Sequence, residues 1–326
     1  MALLVGCALL MSACARTVSP PTRVDRVGEL LRLGTKQYHE GNYESALARF
    51  DSALDISASV DYQEGVAEAL NNIAAVRLRQ GDYEEALVSL SRALEIYRSL
   101  NDTGGIGLTL LNMGSAHAGA GNPASARAYF EKALETAQTN GDTSLEARAL
   151  NNLGILTKEE GDMEKAREFY EHALEINRRE NRSGAIADNL NNLGTLSLSM
   201  DDYDAATGFY EEALAIDKKL EIPEAIAIDL FNIAAAYYGK EDYKTALDYY
   251  GRALMIFDLT ANRPRIAETL FGIGLASEKD GDIPRALESY TSAAMVAESE
   301  GMQALAEKAR LREATLAAPA PSSPSE

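Results

Sequence analysis

Hydrophobic positions along this chain recur with two superimposed periods. Over short windows, apolar residues fall at the i, i+3, i+4, i+7 spacing of one helix face, as in Leu150, Leu153, Gly154 and Thr157. Over long windows the whole pattern returns in seven evenly spaced rows, starting at 31, 71, 111, 151, 191, 231 and 271 with no insertion or deletion. A leucine precedes every row (Leu30, Leu70, Leu110, Leu150, Leu190, Leu230, Leu270). Two further columns are always alanine: Ala46, Ala86, Ala126, Ala166, Ala206, Ala246, Ala286, and Ala53, Ala93, Ala133, Ala173, Ala213, Ala253, Ala293. Invariably small residues at fixed points imply that two helix backbones approach closely there. Gly154, with Ala74 and Ala234 as its substitutes, marks the same kind of contact on the first helix.

Each row reads as helix, turn, helix. The first helix ends at Gly-Asp or Gly-Asn (Gly41-Asn42, Gly81-Asp82, Gly121-Asn122, Gly161-Asp162, Gly281-Asp282). Glycine suits the left-handed position after a helix, and Asp or Asn suits the start of the next. Asp82 with Glu85 fits a capping box. Rows five and six place Asp201 and Glu241 where glycine belongs, so those turns should be less stable. The second helix carries its own apolar face, with Ala166, Phe169, Tyr170, Ala173 and Leu174 in row four. It ends at polar or helix-breaking residues: Asn101-Asp102, Gly141-Asp142, Asn181-Arg182, Pro223, and Asn262 with Pro264. Gly104-Gly105-Ile106-Gly107 reads as an inter-repeat turn. Neither helix can bury its stripe alone, so neighbouring units must stack.

The Leu-x-x-Leu-Gly start, the alanine columns and the centre Gln80-Gly81-Asp82-Tyr83-Glu84-Glu85-Ala86-Leu87 resemble the tetratricopeptide repeat over residues 27–310. Each row is longer than the usual repeat of about 34 residues. In this it is similar to the long-helix arrays of kinesin light chains and related bacterial regulators. The resemblance implies an all-α, right-handed superhelical solenoid of seven helix-turn-helix units. Gln303 to Ala317 reads as a capping helix, with Lys308, Arg310 and Arg312 on a solvated face, and Asp25 as a cap ahead of the first row. The expected solenoid spans 25–315, followed by a Pro/Ser/Ala-rich tail at 316–326 that reads as disordered.

The N-terminus changes the expected location. Ala2 to Met11 is apolar and too short for a membrane span, which needs about 20 residues. It suits a signal peptide over 1–13. Leu10-Met11-Ser12-Ala13-Cys14 resembles a bacterial lipobox, which implies cleavage before Cys14 and a lipid on its sulfur. Residues 14–24 would be a flexible tether from a cell-envelope membrane to the folded body, on the outer-membrane or periplasmic side in a Gram-negative cell. Plain secretion and a cytosolic location remain open alternatives. The only cysteines are Cys7 and Cys14, so no disulfide framework is available to the rest of the chain.

Charge and chemistry narrow the function to binding. The net charge of −19 opposes nucleic acid and anionic lipid surfaces, leaving a lipid anchor as the membrane link and proteins or peptides as partners. His39, His117 and His172 occupy different rows, and no metal-ligand spacing, nucleophile motif or cofactor motif is present. Glu159-Glu160 and Glu211-Glu212 read as solvated helix faces. One polar column stands out: Asn72, Asn112, Asn152, Asn192 and Asn232, flanked by Arg32 and Gly272. In tetratricopeptide proteins this position lines the concave groove, and resemblance to peptide-binding arrays implies amides that grip a peptide backbone. An amide offers donor and acceptor at one tip, matching a peptide group. The alternative is that these asparagines bond the neighbouring repeat and set its pitch. Arg79, Arg148 and Lys158 are candidate groove residues, and Asp188, Glu159, Tyr237 and Tyr238 could tune specificity. The expectation is a non-enzymatic scaffold in the cell envelope, with a cytosolic regulator or adaptor binding a signalling peptide as the alternative.

Overall fold

The computed structural model describes residues 22–317. Cys14, the signal peptide, most of the tether and nearly all of the C-terminal tail lie outside the described residues. Among the described residues there are fifteen α-helices and no strand: α1 (Arg23–His39), α2 (Tyr43–Ser59), α3 (Gln63–Gln80), α4 (Tyr83–Leu100), α5 (Thr103–Gly119), α6 (Pro123–Asn140), α7 (Thr143–Glu159), α8 (Met163–Arg179), α9 (Ser183–Ser199), α10 (Tyr203–Leu220), α11 (Pro223–Gly239), α12 (Tyr243–Leu259), α13 (Arg263–Asp280), α14 (Ile283–Ser299) and α15 (Gln303–Ala317). The chain forms two compact units, divided between Gly105 and Ile106 within α5.

In the first unit, α1 packs on α2, α2 on α3 and α3 on α4, and α1 also touches α3. Its core joins Val27, Leu30 and Leu31 of α1 to Phe50 of α2 and Ile73 and Val76 of α3. In the second unit consecutive helices pair in the same way from α6 to α15. The first helices of successive repeats also meet: α7 with α9, α9 with α11, α11 with α13 and α13 with α15. Every alanine of the two invariant columns is completely buried. Opposite Gly154, the Tyr170 ring lies where a Cβ would stand, 2.6 Å away. The same apposition pairs Gly34 with Phe50, Gly114 with Phe130, Gly194 with Tyr210 and Gly274 with Tyr290. A side chain at Gly154 would push that ring out of its site at a cost of about 1–3 kcal/mol.

The turns obey a finer period than the sequence rows suggest. Left-handed residues fall twice in every row, at 41, 61, 81, 101 and so on to 301, between repeats as well as within them. Each connector closes with the same backbone bond, from the residue after the left-handed one to a carbonyl near the end of the preceding helix: Asn42 to Gln37 at 2.9 Å, Asp162 to Thr157 at 3.1 Å, Asp242 to Tyr237 at 3.0 Å. This is the Schellman closure, which satisfies carbonyls at the helix end. Seven of the left-handed residues are not glycine, including Asp201 at φ 58° and Glu241 at φ 62°.

Several local expectations need correction. Pro223 and Pro264 do not end second helices; they sit in the first turns of α11 and α13, where a missing N–H costs nothing. Gly104-Gly105-Ile106-Gly107 is helical, inside the first turns of α5, and the inter-repeat turn lies before it at Asn101-Asp102. Asp82 makes no side-chain capping bond, so the capping box with Glu85 is not formed. Asp25 is not the first cap: Thr22 is, and Asp25 completes a reciprocal box with it from the first turn. Arg23 and Val24, assigned to the tether, belong to α1. The last helix runs over Gln303–Ala317 as expected, burying Ala306 and Ala309, with Arg310 paired to Glu298 and Glu313.

Glu241→Gly relieves a left-handed conformation at an exposed site, and should stabilise by about 0.5–1 kcal/mol. A higher urea midpoint than wild type, with unchanged slope, is the expected reading. A lower midpoint would contradict the turn argument.

Candidate functional site

In the second unit the first helices α5, α7, α9 and α11 present a polar face. One concave pocket of about 300 Å³ is lined by Asn112 and Ser115 of α5, Ser144, Arg148, Asn151 and Asn152 of α7, Arg182 before α9, and Asp188 and Asn189 of α9. A second, of about 330 Å³, continues over Asn151, Asp188, Asn191, Asn192, Asp217, Ala225 and Ile228. The two share Asn151 and Asp188 and so form one continuous surface. These side chains converge because matching columns of successive rows occupy equivalent positions on adjacent first helices.

The asparagines divide into two roles. Asn151 Oδ1 accepts from Asn189 Nδ2 at 3.1 Å and from Asn192 Nδ2 at 2.7 Å. One repeat on, Asn232 Nδ2 donates to Asn191 Oδ1 at 3.3 Å, and Asn191 Nδ2 donates to Asp229 Oδ1 at 2.7 Å. The donor ends of Asn192 and Asn232 therefore tie one repeat to the previous one, which the alternative reading of the column describes. Asn152 has no side-chain hydrogen bond to another described residue; it faces the first pocket and a neighbouring one of about 300 Å³ that Glu159 also lines. Asn112 lines the first pocket as well. Asn72 lies half-buried on α3 in the first unit, where Arg79 is exposed near the helix end. Lys158 is half-buried in the last turn of α7, outside the pockets described. Tyr237 stacks on Tyr249 and Tyr238 leans on Tyr243, so both are engaged with α12.

Beneath this face lies a polar junction that the column analysis missed. Asn177 Nδ2 donates to Asn189 Oδ1 at 2.7 Å, and Arg182 donates to Asn177 Oδ1 at 3.3 Å and to the Thr143 carbonyl at 3.1 Å. In the next repeat the positions of Asn177 and Asn189 are taken by Asp217 and Asp229. Both are buried, 4% and 0% exposed. Their carboxyls act on one another's titration, and two acids buried together favour keeping a proton. Burial pushes both acids up; for Asp229 the bond from Asn191 opposes this, and the charges of Asp217 and Asp188 add to it, giving about 7. Asp188 and Arg148 reach solvent but are walled by protein. Burial raises the Asp188 carboxyl, with Asp217 adding to it, and lowers the Arg148 guanidinium against the pull of Asp142. The signal for the buried acids was present in the rows: Asp217 interrupts a column that reads Ala137, Asn177, Phe257 and Ala297 elsewhere in this unit.

An acid whose folded pKa is raised stabilises the fold below its unfolded pKa, near 4, and loses that contribution as pH rises through the folded value. Asp229→Asn removes the titration and restores the amide partner that Asn189 provides one repeat earlier. The variant should gain stability relative to wild type between pH 5 and pH 8, by on the order of 2 kcal/mol. Urea unfolding at the two pH values measures the difference; a pH-independent gap would show that the pair ionises normally.

Among the described residues no group of three His, Cys, Asp or Glu is placed to hold a metal ion, and no helix is long and apolar enough to cross a membrane. Comparison with known proteins agrees with the helix-pair architecture. A family model described as tetratricopeptide repeat matches residues 27–99, 105–179 and 147–219, together more than half of the chain. A model for soluble NSF attachment protein matches residues 210–323. Among curated proteins none matches significantly. Solved structures of similar fold include the Rap conjugation gene regulator of plasmid pLS20 in complex with the Phr* peptide (TM-score 0.65, 18% identity, covering 89% of this chain and 80% of that one). Aspartyl phosphate phosphatase F from Bacillus subtilis is similar at TM-score 0.65 and 13% identity, over 84% of this chain and 70% of that one. The nearly identical TPR-like repeats of a putative kinesin light chain from Podosopora anserina match at TM-score 0.52 and 14% identity, over 60% of this chain and 95% of that one. At these identities the likeness establishes the fold. With the evenly spaced rows, the helix pairs and the family match in agreement, the chain belongs to the tetratricopeptide repeat family.

Proposed function

We propose that this protein is a non-enzymatic scaffold that holds an extended peptide, or an extended segment of another protein, along the polar face of α5, α7, α9 and α11. The observation that carries this reading is the continuous surface formed by the two pockets, with the uncommitted Asn152 amide in the first of them. An extended peptide advances about 3.3 Å per residue, and helices packed about 8–10 Å apart present one amide for roughly every three residues. The remaining side chains of the face are amides, hydroxyls, two guanidiniums and carboxyls, a set suited to gripping a chain rather than cleaving it. The Phr* complex of the pLS20 regulator supports the choice of a peptide as ligand.

The triple substitution Asn112→Ala, Asn152→Ala and Asn192→Ala should reduce recovery of bound partners in pulldowns at least tenfold, with the helical circular dichroism retained. Equal recovery of every partner by wild type and variant would sink the groove reading.

We also propose that the scaffold is anchored to a bacterial cell envelope through a lipid on Cys14. The support is the sequence Leu10-Met11-Ser12-Ala13-Cys14 after an apolar run. Metabolic labelling with palmitate should mark the wild type and not Cys14→Ser. A wild type without label favours the second reading, a cytosolic regulator or adaptor taking a signalling peptide, to which the pLS20 likeness also lends support.

A further inference from the structure

We propose that Asp188 and Asp217, with the buried Asp229 acting on both, form a subsite for one basic side chain, Arg or Lys, of the segment held in the groove. The inference rests on the groove reading and adds a chemical requirement on the ligand.

The positions of Asp217 and Asp229 are taken by Ala137 with Ala149, Asn177 with Asn189, and Phe257 with Thr269 in other repeats of the second unit. Those pairs close the equivalent junction without an acid. Placing two carboxyls there is costly unless something compensates them. The compensation inside the chain is incomplete. Asp229 is fully buried, and its Oδ2 receives no N–H or hydroxyl donor among the described residues. Its other oxygen accepts from Asn191. Asp217, 4% exposed, forms part of the pocket wall, which Asp229 does not line. Asp188 stands at the mouth, exposed. Asp188 and Asp217 thus line the pocket, and the fully buried Asp229 stays outside its lining with one carboxyl oxygen that no N–H or hydroxyl of the described residues reaches.

A basic side chain meets this arrangement in two ways. Its N–H groups supply the donors that the carboxyl oxygens lack, and a guanidinium can meet two oxygens at once. Its positive charge balances the acids of this wall; Arg148 and Arg182 line the adjoining pocket with Asp188 and do not line this one. The titratable groups acting on the pair are Asp188 from α9 and Tyr210 from α10, and neither supplies positive charge. From α12 and α13 no titratable group acts on these three acids. A peptide residue fits better than a bare metal ion, since Asn191 and Asn192 in the same wall offer amides suited to a peptide backbone. The net charge of −19 favours approach of a cationic segment.

Entry of the cation favours the ionised acids and displaces the proton that burial holds on them. The proton passes to solvent, the ligand's charge replaces it, and binding is tighter at higher pH.

The test pans immobilised full-length protein against a random synthetic octapeptide library, reading retained sequences by mass spectrometry. Wild type should enrich peptides with Arg or Lys at one fixed position. Asp188→Asn with Asp217→Asn should lose that enrichment, with its folding checked by thermal melting. Asp188→Arg, a change at an exposed site that does not threaten folding, should shift the preference at that position toward Glu or Asp. A retained wild-type peptide should bind about tenfold more weakly at pH 5.5 than at pH 8. It should also release a proton, seen as a heat difference between phosphate and Tris buffers in titration calorimetry. Retained peptides without a basic preference, or a preference unchanged in Asp188→Arg, would overturn the subsite and leave the groove standing. Retention of no peptide would overturn both.

Discussion

The close approach of the two helices within each repeat is the contact on which the rest depends. In five rows a glycine on the first helix faces an aromatic ring on the second, and invariant buried alanines flank the crossing. Protein interiors pack at crystal-like density, so this small-against-large apposition fixes how far apart the helices stand and which face each turns inward. Because it recurs unchanged in row after row, equivalent positions on successive first helices come into register. That register turns a column in the sequence into a row of side chains on a surface.

The turns protect the register. Evenly spaced left-handed residues and a recurring backbone closure make the connections within and between repeats nearly alike. The chain tolerates Asp, Asn, Glu and Ala in a conformation that favours glycine, because each strained turn is bounded by two long helices whose packing outweighs a cost of about 1 kcal/mol. Charged surface pairs such as Lys240 with Asp204 add little beside this, since exposed ion pairs contribute about 0–1 kcal/mol.

Against this regular background the polar junctions of α7 to α11 are departures. Buried amides and acids narrow the geometries a repeat can take, because each must find a partner. Asn151, Asn189 and Asn192 find theirs in one another across repeats. The Asp217 and Asp229 carboxyls are buried together and both are pushed up by that burial, which makes this junction sensitive to pH. A substitution at Asn192 or Asn232 therefore acts on the packing between repeats as well as on the proposed recognition face.

The sequence by itself determined the repeat, its helix-turn-helix content, the core columns and the last helix, because those rest on local periodicity and on small residues that admit one kind of contact. Gly154, Ala166 and Ala173 could be assigned to close packing from their columns alone. Turn details were less legible: a proline such as Pro223 is read equally well as the end of one helix or the start of the next when the connector is very short. The candidate site was legible only as a column. Asn152 and Asn192 hold the same place in their rows, yet one amide faces a pocket and the other is bonded to Asn151, a difference set by what lies across the repeat junction. The pairing of Asp217 with Asp229 was likewise decided by tertiary structure. The two lie on different helices, and only the stacking of α10 against α11 brings their carboxyls together in a place where water cannot separate them.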